Sequence, residues 1–299
     1  MPTDKPIVAF LGLGLMGLPM SVRLLAAGYR VHVWNRSRPK ILPALDKGAI
    51  EAATPRDAAR TAEVVMICLT DTRAVEEVAF GADGIAEAEG RGKILVDHST
   101  IRPDATRIFA ERLASRSGMQ WVDAPVSGGV KGAQDGTLAI MCGGHKEAVE
   151  RVRPVLAAYA RNVTHMGPAG AGQTTKLCNQ IIVGSTLAVI AEAVTLAQNS
   201  GVDAAALPQA FAGGFADSKP LQTWVPRMVN GYSDAIGTAN TLLKDLDVIA
   251  DVARATGTPI PMAGLAREIF RTLAAQGRGE DDPAALVDLY RRRNNNNNG

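Results

Sequence analysis

The sequence predicts an α/β domain on a doubly wound, mostly parallel sheet over residues 1–166, followed by an all-α C-terminal domain over 167–293. Three observations carry this reading. Short apolar runs of strand length alternate with helical segments through the first 165 residues. A glycine loop directly follows the first run and opens a helix. Beyond the glycine-rich stretch at 167–172, the spacing is helical and no strand pattern remains.

The elements follow in order. Ile7 to Leu11 (IVAFL) is a continuous apolar run of buried-strand length, and Gly12 to Gly17 is the glycine loop. Leu18 to Ala27 has helical spacing and stops at Gly28. Tyr29 to Trp34 alternates and is rich in β-formers, while Val64 to Leu69, Ile94 to Val96 and 120–122 are further short strands. Helices are expected near 38–47, 55–61, 72–79 and 103–117. Gln173 to Asn199, free of Pro and rich in Ala, Leu, Ile and Val, reads as one long, mostly buried helix closed by Gly201. Helical segments then continue to Tyr290, punctuated by Gly and Pro. The five Asn and Gly299 at 294–299 cannot bury a core, so a disordered tail is expected there.

Composition removes several functions. Hydrophobic residues make up 46% and charged residues 21%, which excludes wholesale disorder. A net charge of +2 gives no field that would hold nucleic acid. Cys68, Cys142 and Cys178 lie far apart in apolar runs, neither a disulfide framework nor a metal-ligand set, so no metal is expected and a reducing compartment fits. No apolar run reaches 18 residues without a charge or polar break, and the start MPTDKPIVAF carries no signal-peptide pattern. A cytoplasmic protein without a membrane partner is expected. The long apolar helix exceeds what a small helical domain covers, which predicts a homodimer or homotetramer.

The loop Gly12-Leu13-Gly14-Leu15-Met16-Gly17 has the spacing of a dinucleotide-phosphate loop. Gly12 permits the tight turn, Gly14 lets backbone approach a pyrophosphate, and Gly17 lets helix pack on strand. The helix N-terminus adds free N–H groups and positive potential. Which dinucleotide binds is read at the end of the second strand. A carboxylate there accepts from the ribose 2′-hydroxyl of NAD, but this chain offers Asn35-Arg36-Ser37, 23 residues past Gly12. Arg36 can face a 2′-phosphate, Ser37 adds a donor, and Arg38 adds positive charge. NADP is expected over NAD.

On the substrate side, Ser127 with Gly128 and Gly129 can offer a hydroxyl and backbone N–H groups to a carboxylate. The same stretch also fits a turn-rich hairpin with no ligand. Lys176 lies on the first turn of the apolar helix, where desolvation lowers a lysine's pKa and makes it a usable acid or base. A lysine snorkelling from a helix end is the plainer alternative. Asn179 and Gln180 lie three and four residues on, giving a polar patch.

Four motifs resemble the β-hydroxyacid (3-hydroxyisobutyrate) dehydrogenase family. They are Gly12-Leu-Gly-Leu-Met-Gly-Leu-Pro-Met20, Asp123-Ala-Pro-Val-Ser-Gly-Gly129, Gly172-Gln-Thr-Thr-Lys-Leu-Cys-Asn-Gln180 and Lys244-Asp-Leu246. The resemblance runs from residue 5 to about 290. It implies a Rossmann domain followed by a helical domain, and a small carboxylate-bearing aldehyde or hydroxyacid as substrate. It makes Lys176 the general acid/base and gives the substrate carboxylate to Ser127, Gly128 and Gly129. Thr100 would lie near the nicotinamide, Leu69 and Thr70 would line the adenosine side, and Lys244 would close over the cofactor. Asn179-Gln180 resembles the version in tartronate semialdehyde reductases, and Trp34 to Ser37 resembles the NADPH-using glyoxylate and succinic semialdehyde reductases. The stretch Gly237 to Leu243 departs from the family's Phe- and Asp-containing version.

The expected reaction moves a hydride between nicotinamide and the carbonyl carbon of a short aldehyde acid, with Lys176 exchanging the proton. Three rivals remain. A decarboxylating sugar-phosphate dehydrogenase would place Glu one turn further along the lysine helix, where this chain has Val183. Imine reductases of a related branch generally lack the lysine. A non-catalytic NADP-binding sensor would be expected to have lost it. The pocket wall is expected from 211–244, with Phe211, Phe215, Lys219 and Trp224 among its residues.

Overall fold

The computed structural model describes residues 5–233 and 235–291. The expected Asn tail at 294–299 lies outside the described residues. The chain divides into two compact units, Met1–Lys176 and Leu177–Gly299. The division falls inside the long helix, ten residues beyond the compositional shift at 167, because the first turns of that helix are held by the sheet.

Unit 1 is a sheet of nine strands among the described residues. These are β1 (Val8–Leu11), β2 (Val31–Trp34), β3 (Ile50–Glu51), β4 (Val64–Ile67), β5 (Ile94–Asp97), β6 (Gln120–Asp123), β7 (Val126–Ser127), β8 (Leu138–Gly143) and β9 (Ala160–Gly167). The order β3-β2-β1-β4-β5-β6 is parallel throughout and reverses direction at β1/β4. β8 runs antiparallel to β6 and β7 and parallel to β9. The strands read as unbroken apolar runs because both faces are covered. Val8 and Phe10 enter one core with Met20 and Leu24, while Ala9 and Leu11 enter the other with Ala58, Val75 and Leu113.

The helices of unit 1 are α1 (Gly17–Ala26), α2 (Leu42–Leu45), α3 (Pro55–Thr61), α4 (Thr72–Phe80), α5 (Pro103–Ser117), α6 (Gly129–Asp135) and α7 (Lys146–Leu156). Thr54 Oγ1 and Asp71 Oδ1 cap α3 and α4 by accepting the N–H of Asp57 and Ala74. Residues 38–47 do not form the single helix expected. A 3₁₀ turn (Arg38–Ile41) leads into α2, with prolines at the start of each piece. Sequence spacing alone also missed β3, β8, β9, α6 and α7.

α8 (Ala171–Asn199) starts two residues before Gln173, so Lys176 stands on its second turn, not its first. α8 leads into unit 2, followed by α9 (Leu207–Phe211), α10 (Lys219–Asn230), α11 (Ala239–Thr256) and α12 (Pro261–Leu273). No strand occurs among the described residues beyond Gly167. By length and composition α8 could cross a bilayer, which the run-length reading did not anticipate. Its residues Leu177, Leu187, Ile190, Ala191 and Val194 nevertheless form the core of unit 2, with Leu246, Ile249 and Phe270. Ile182 (65% exposed), Val189 (52%) and Leu196 (69%) form an outward apolar stripe at seven-residue spacing. Asp282, fully buried, fixes the segment before α11 by accepting from Arg227 (2.8 Å) and from the N–H of Ile236 (3.0 Å) and Ala284 (2.9 Å).

At the carboxyl end of the sheet, Asp97 of β5 and Asp123 of β6 are register partners and both fully buried. Asp97 Oδ1 accepts from the Ser99 N–H (2.9 Å), while Oδ2 has no hydrogen-bond partner among the described residues. Burial pushes the Asp97 carboxyl up to about 7, opposed by its bonds to Ser99 and reinforced by the Asp123 charge. A raised native pKa means this group's contribution is full at acid pH. It is lost as pH climbs from the ordinary carboxylate range through about 7. Asp97→Asn should therefore gain stability relative to wild type by roughly 2–3 kcal/mol more at pH 8 than at pH 5. Urea unfolding at the two pH values checks this, and an equal effect at both would refute it.

Candidate active site

Most of the sequence-predicted site residues of unit 1 follow the carboxyl ends of parallel strands. Gly12–Gly17 follow β1, Asn35–Ser37 follow β2, Leu69 and Thr70 follow β4, Thr100 follows β5, and Ser127–Gly129 follow β6. In an open parallel sheet this is the edge at which ligands bind, at the point where strand order reverses.

The glycine loop meets its geometric requirements. Gly12 has φ +94°, and a Cβ there would come within 2.3 Å of the Cys68 carbonyl oxygen. A Cβ on Gly17 would come within 2.0 Å of the Gly12 carbonyl oxygen, so α1 packs directly on the turn. Gly14 is different, with nothing within 4 Å of its Cβ position. It faces open space, where a methyl group would meet nothing else in the protein. Leu15 is exposed and Met16 half-buried beside it.

Asn35 joins this loop to the next. Its Oδ1 accepts from the Leu13 N–H (3.0 Å) and its Nδ2 donates to the Ser37 carbonyl (3.0 Å). The side chain is thus used to fix two loops against each other. Arg36 and Ser37 are exposed. Arg38 does not stand as spare positive charge, because Glu51 accepts from its Nε (2.8 Å) and Nη2 (2.9 Å). Sequence spacing could not show a partner 13 residues away on β3.

Two pairings hold the far side. His98 is buried, and burial lowers its pKa to about 4, so it is neutral at pH 7. The Ala124 carbonyl can only accept, so Nδ1–H donates to it (2.7 Å) and Nε2 accepts from the Tyr159 hydroxyl (2.8 Å). This ties the end of β5 to the segment leading into Ser127. Gly128 (φ +132°) and Gly129 (φ +64°) then turn the chain through two left-handed residues, with Ser127 half-buried.

Asp123 and Gln173 did not stand out in the sequence as site residues. Asp123 Oδ1 accepts from the Gly170 N–H (2.8 Å) and Oδ2 from the Gln173 N–H (2.9 Å), anchoring the start of α8 to the end of β6. Burial raises the Asp123 carboxyl while these bonds oppose the rise. Close approach seals the junction, since a Cβ on Gly172 would meet the Met141 carbonyl oxygen at 2.3 Å. Lys176, on the next turn, is only 8% exposed. The signal available in the sequence was Asp123 at the end of a strand and a glycine loop before a helix, but not their pairing.

In unit 2 a further buried carboxylate gathers two of the expected residues. Asp245 Oδ2 accepts from Gln180 Nε2 (2.7 Å), and its Oδ1 lies 3.2 Å from Lys244 Nζ. Gln180 and Lys244, both expected at the site, thus meet on one acidic group that the motif Lys244-Asp-Leu246 contained. Asn179 Oδ1 is buried with no hydrogen-bond partner among the described residues. No cluster of three or more His, Cys, Asp or Glu side chains that could hold a metal occurs among the described residues.

The glycine loop separates two kinds of substitution. Gly17→Ala should cost about 1–3 kcal/mol of stability through overpacking. Gly14→Ala should leave the cofactor-free protein within about 0.5 kcal/mol of wild type yet weaken dinucleotide binding. Thermal unfolding without cofactor checks both, and a destabilised Gly14→Ala would contradict the open space at that position.

The sequence also matches known families over both units. Residues 7–167 match the family described as the NAD-binding domain of 6-phosphogluconate dehydrogenase, and 170–290 match the NAD-binding domain of NADP-dependent 3-hydroxyisobutyrate dehydrogenase. The chain is 38% identical over 285 residues to 2-hydroxy-3-oxopropionate reductase of Escherichia coli K12, covering 94% of this chain and 95% of that one. It is 36% identical over 295 residues to 3-hydroxyisobutyrate dehydrogenase of Pseudomonas aeruginosa, covering 95% and 98%. The solved structure of Mycobacterium tuberculosis 3-hydroxyisobutyrate dehydrogenase with L-serine is similar at a TM-score of 0.87 and 32% identity, covering 97% of this chain and 100% of that one. With an open glycine loop at the switch point of a doubly wound sheet and these matches along nearly its whole length, the chain belongs to the 3-hydroxyisobutyrate dehydrogenase family of NAD(P)-binding hydroxyacid oxidoreductases.

Proposed function

We propose that the protein catalyses reversible hydride transfer between NADP(H) and a short semialdehyde acid or the corresponding β-hydroxyacid, with Lys176 as general acid/base. The observation that carries this reading is Lys176 itself, a buried lysine on a helix whose start is anchored to the strand leading into Ser127–Gly129. Lysine is rarely buried without a role.

The nicotinamide supplies or accepts the hydride. In reduction, Lys176 Nζ donates a proton to the developing alkoxide, and its charge stabilises that oxygen. In oxidation it takes the proton back. Ser127, Gly128 and Gly129 hold the substrate carboxylate through a hydroxyl and backbone N–H groups. That fixes the carbonyl in one orientation, which supplies much of the rate. Asn179 and Gln180 complete the substrate contacts; the unpartnered Asn179 Oδ1 is an acceptor suited to a substrate hydroxyl. Gly12 to Gly17 take the pyrophosphate, Leu69 and Thr70 line the adenosine side, Thr100 faces the nicotinamide, and Lys244 closes over the cofactor. Asn35 positions the loop from which exposed Arg36 and Ser37 meet the 2′-phosphate. The description of the C-terminal family as NADP-dependent supports the same preference.

The experiment is nicotinamide oxidation against glyoxylate and succinic, methylmalonic and tartronic semialdehydes, with NADPH and NADH in parallel. Lys176→Ala should lose about 10²–10⁴-fold in kcat, and Arg36→Ala should weaken NADPH about tenfold while sparing NADH. No turnover of any carbonyl, or tighter NADH than NADPH, would sink the corresponding part.

We further infer self-association through α8, with a second copy covering Ile182, Val189 and Leu196. Cys68, Cys142 and Cys178, none of them in a disulfide, fit a cytoplasmic setting. Leu196→Asp should shift light scattering toward monomer, and a monomeric wild type would refute the interface.

A further inference from the structure

Gln173 takes no part in the mechanism above, yet it is fully buried three residues before Lys176. Its side-chain Oε1 accepts from the Ile101 N–H (3.1 Å) and its Nε2 donates to the Ser99 carbonyl (2.8 Å). One side chain therefore holds both backbone neighbours of Thr100. Its amide orientation is unambiguous, because the N–H can only donate and the carbonyl only accept. Its own backbone N–H goes to Asp123.

Ser99 is held from the other side as well. Its N–H donates to Asp97 Oδ1 (2.9 Å), and its Oγ accepts from the Leu69 N–H (2.9 Å). The 99–101 segment is thus a strap across the ends of β4 and β5, closed onto the lysine helix by Gln173. In a doubly wound sheet the strands beyond the switch point serve the half of the dinucleotide away from the first strand pairs; β4, beside that point, carries Leu69 at the border of the two halves, and β5 and β6 lie beyond it. The glycine loop and Asn35–Ser37, on the other half, share none of these bonds.

We propose that Gln173 is a positioning residue for the nicotinamide half of the cofactor, setting the Thr100 strap against the turn that carries Lys176. The inference rests on the nicotinamide cofactor and on Thr100 facing it, but not on the substrate. Gln173→Met keeps the length of the side chain and removes both hydrogen bonds. Gln173→Asn keeps the chemistry but is too short to bridge. Both retain the backbone N–H that Asp123 holds, so the helix start is preserved.

Three measurements decide. In cofactor-free protein, amide exchange at Ile101 should quicken about tenfold or more in Gln173→Met. By calorimetry, NADPH affinity should fall about tenfold, while affinity for 2′,5′-ADP, its adenosine half, stays at the wild-type value. NADH and ADP-ribose replace the pair if wild type prefers the unphosphorylated cofactor. Gln173→Asn should show the same split, so the idea remains testable if the Met variant does not fold. Equal affinities for both ligands in variant and wild type, or an equal fall for both, would overturn the proposal and leave Gln173 a purely structural group. A wild type that turns over no semialdehyde would sink the substrate reading and leave the binding comparison intact.

Discussion

The Asp123 carboxylate joins the end of the central sheet to the start of the longest helix, and the geometry of unit 1's site follows from that bond pair. Four orphan N–H groups begin every helix and need acceptors when buried. Here the acceptor is the last residue of β6, so the register of the sheet fixes where α8 begins. Once α8 begins there, the position of Lys176 is set to within one turn of the strand that continues into Ser127–Gly129. Small residues make the approach possible, because Gly143 and Gly172 leave no room for a Cβ at the junction.

The same economy recurs elsewhere in the molecule. Buried polar groups are costly unless bonded, so each one present specifies a neighbour. His98 specifies Ala124 and Tyr159, and Gln173 specifies Ser99 and Ile101. In unit 2, Asp245 specifies Gln180 and Lys244, while Asp282 specifies Arg227 and Ile236. Asp97 is among the incompletely bonded groups, and burial raises its carboxyl to about 7. Such groups add little net stability, but they select one arrangement of loops at the carboxyl edge of the sheet.

Local patterns were legible where local physics decides. β1, β2, β4, β5, α3 and α5 come from apolar runs, caps and Gly or Pro boundaries that act within a few residues. The glycine loop was legible because each glycine answers a separate steric demand, and Gly12, Gly14 and Gly17 meet those demands in turn. β8 and β9 were not, since a mixed antiparallel and parallel edge leaves no single period in the sequence. Arg38 reads in the sequence as added positive charge without its partner Glu51, which is close only through β2–β3 pairing.

The sequence by itself determined the fold class, the dinucleotide loop, the second-strand end without a carboxylate, and a lysine inside an apolar helix. These depend on residue type and short spacing, which steric and solvation rules read directly. Only the tertiary structure decided the partners. Asp123 stands 47 residues from Gly170, Gln173 stands 74 from Ser99, and Gln180 stands 65 from Asp245. Contacts at such separations are chosen by how strands and helices pack as wholes, and no local pattern encodes them.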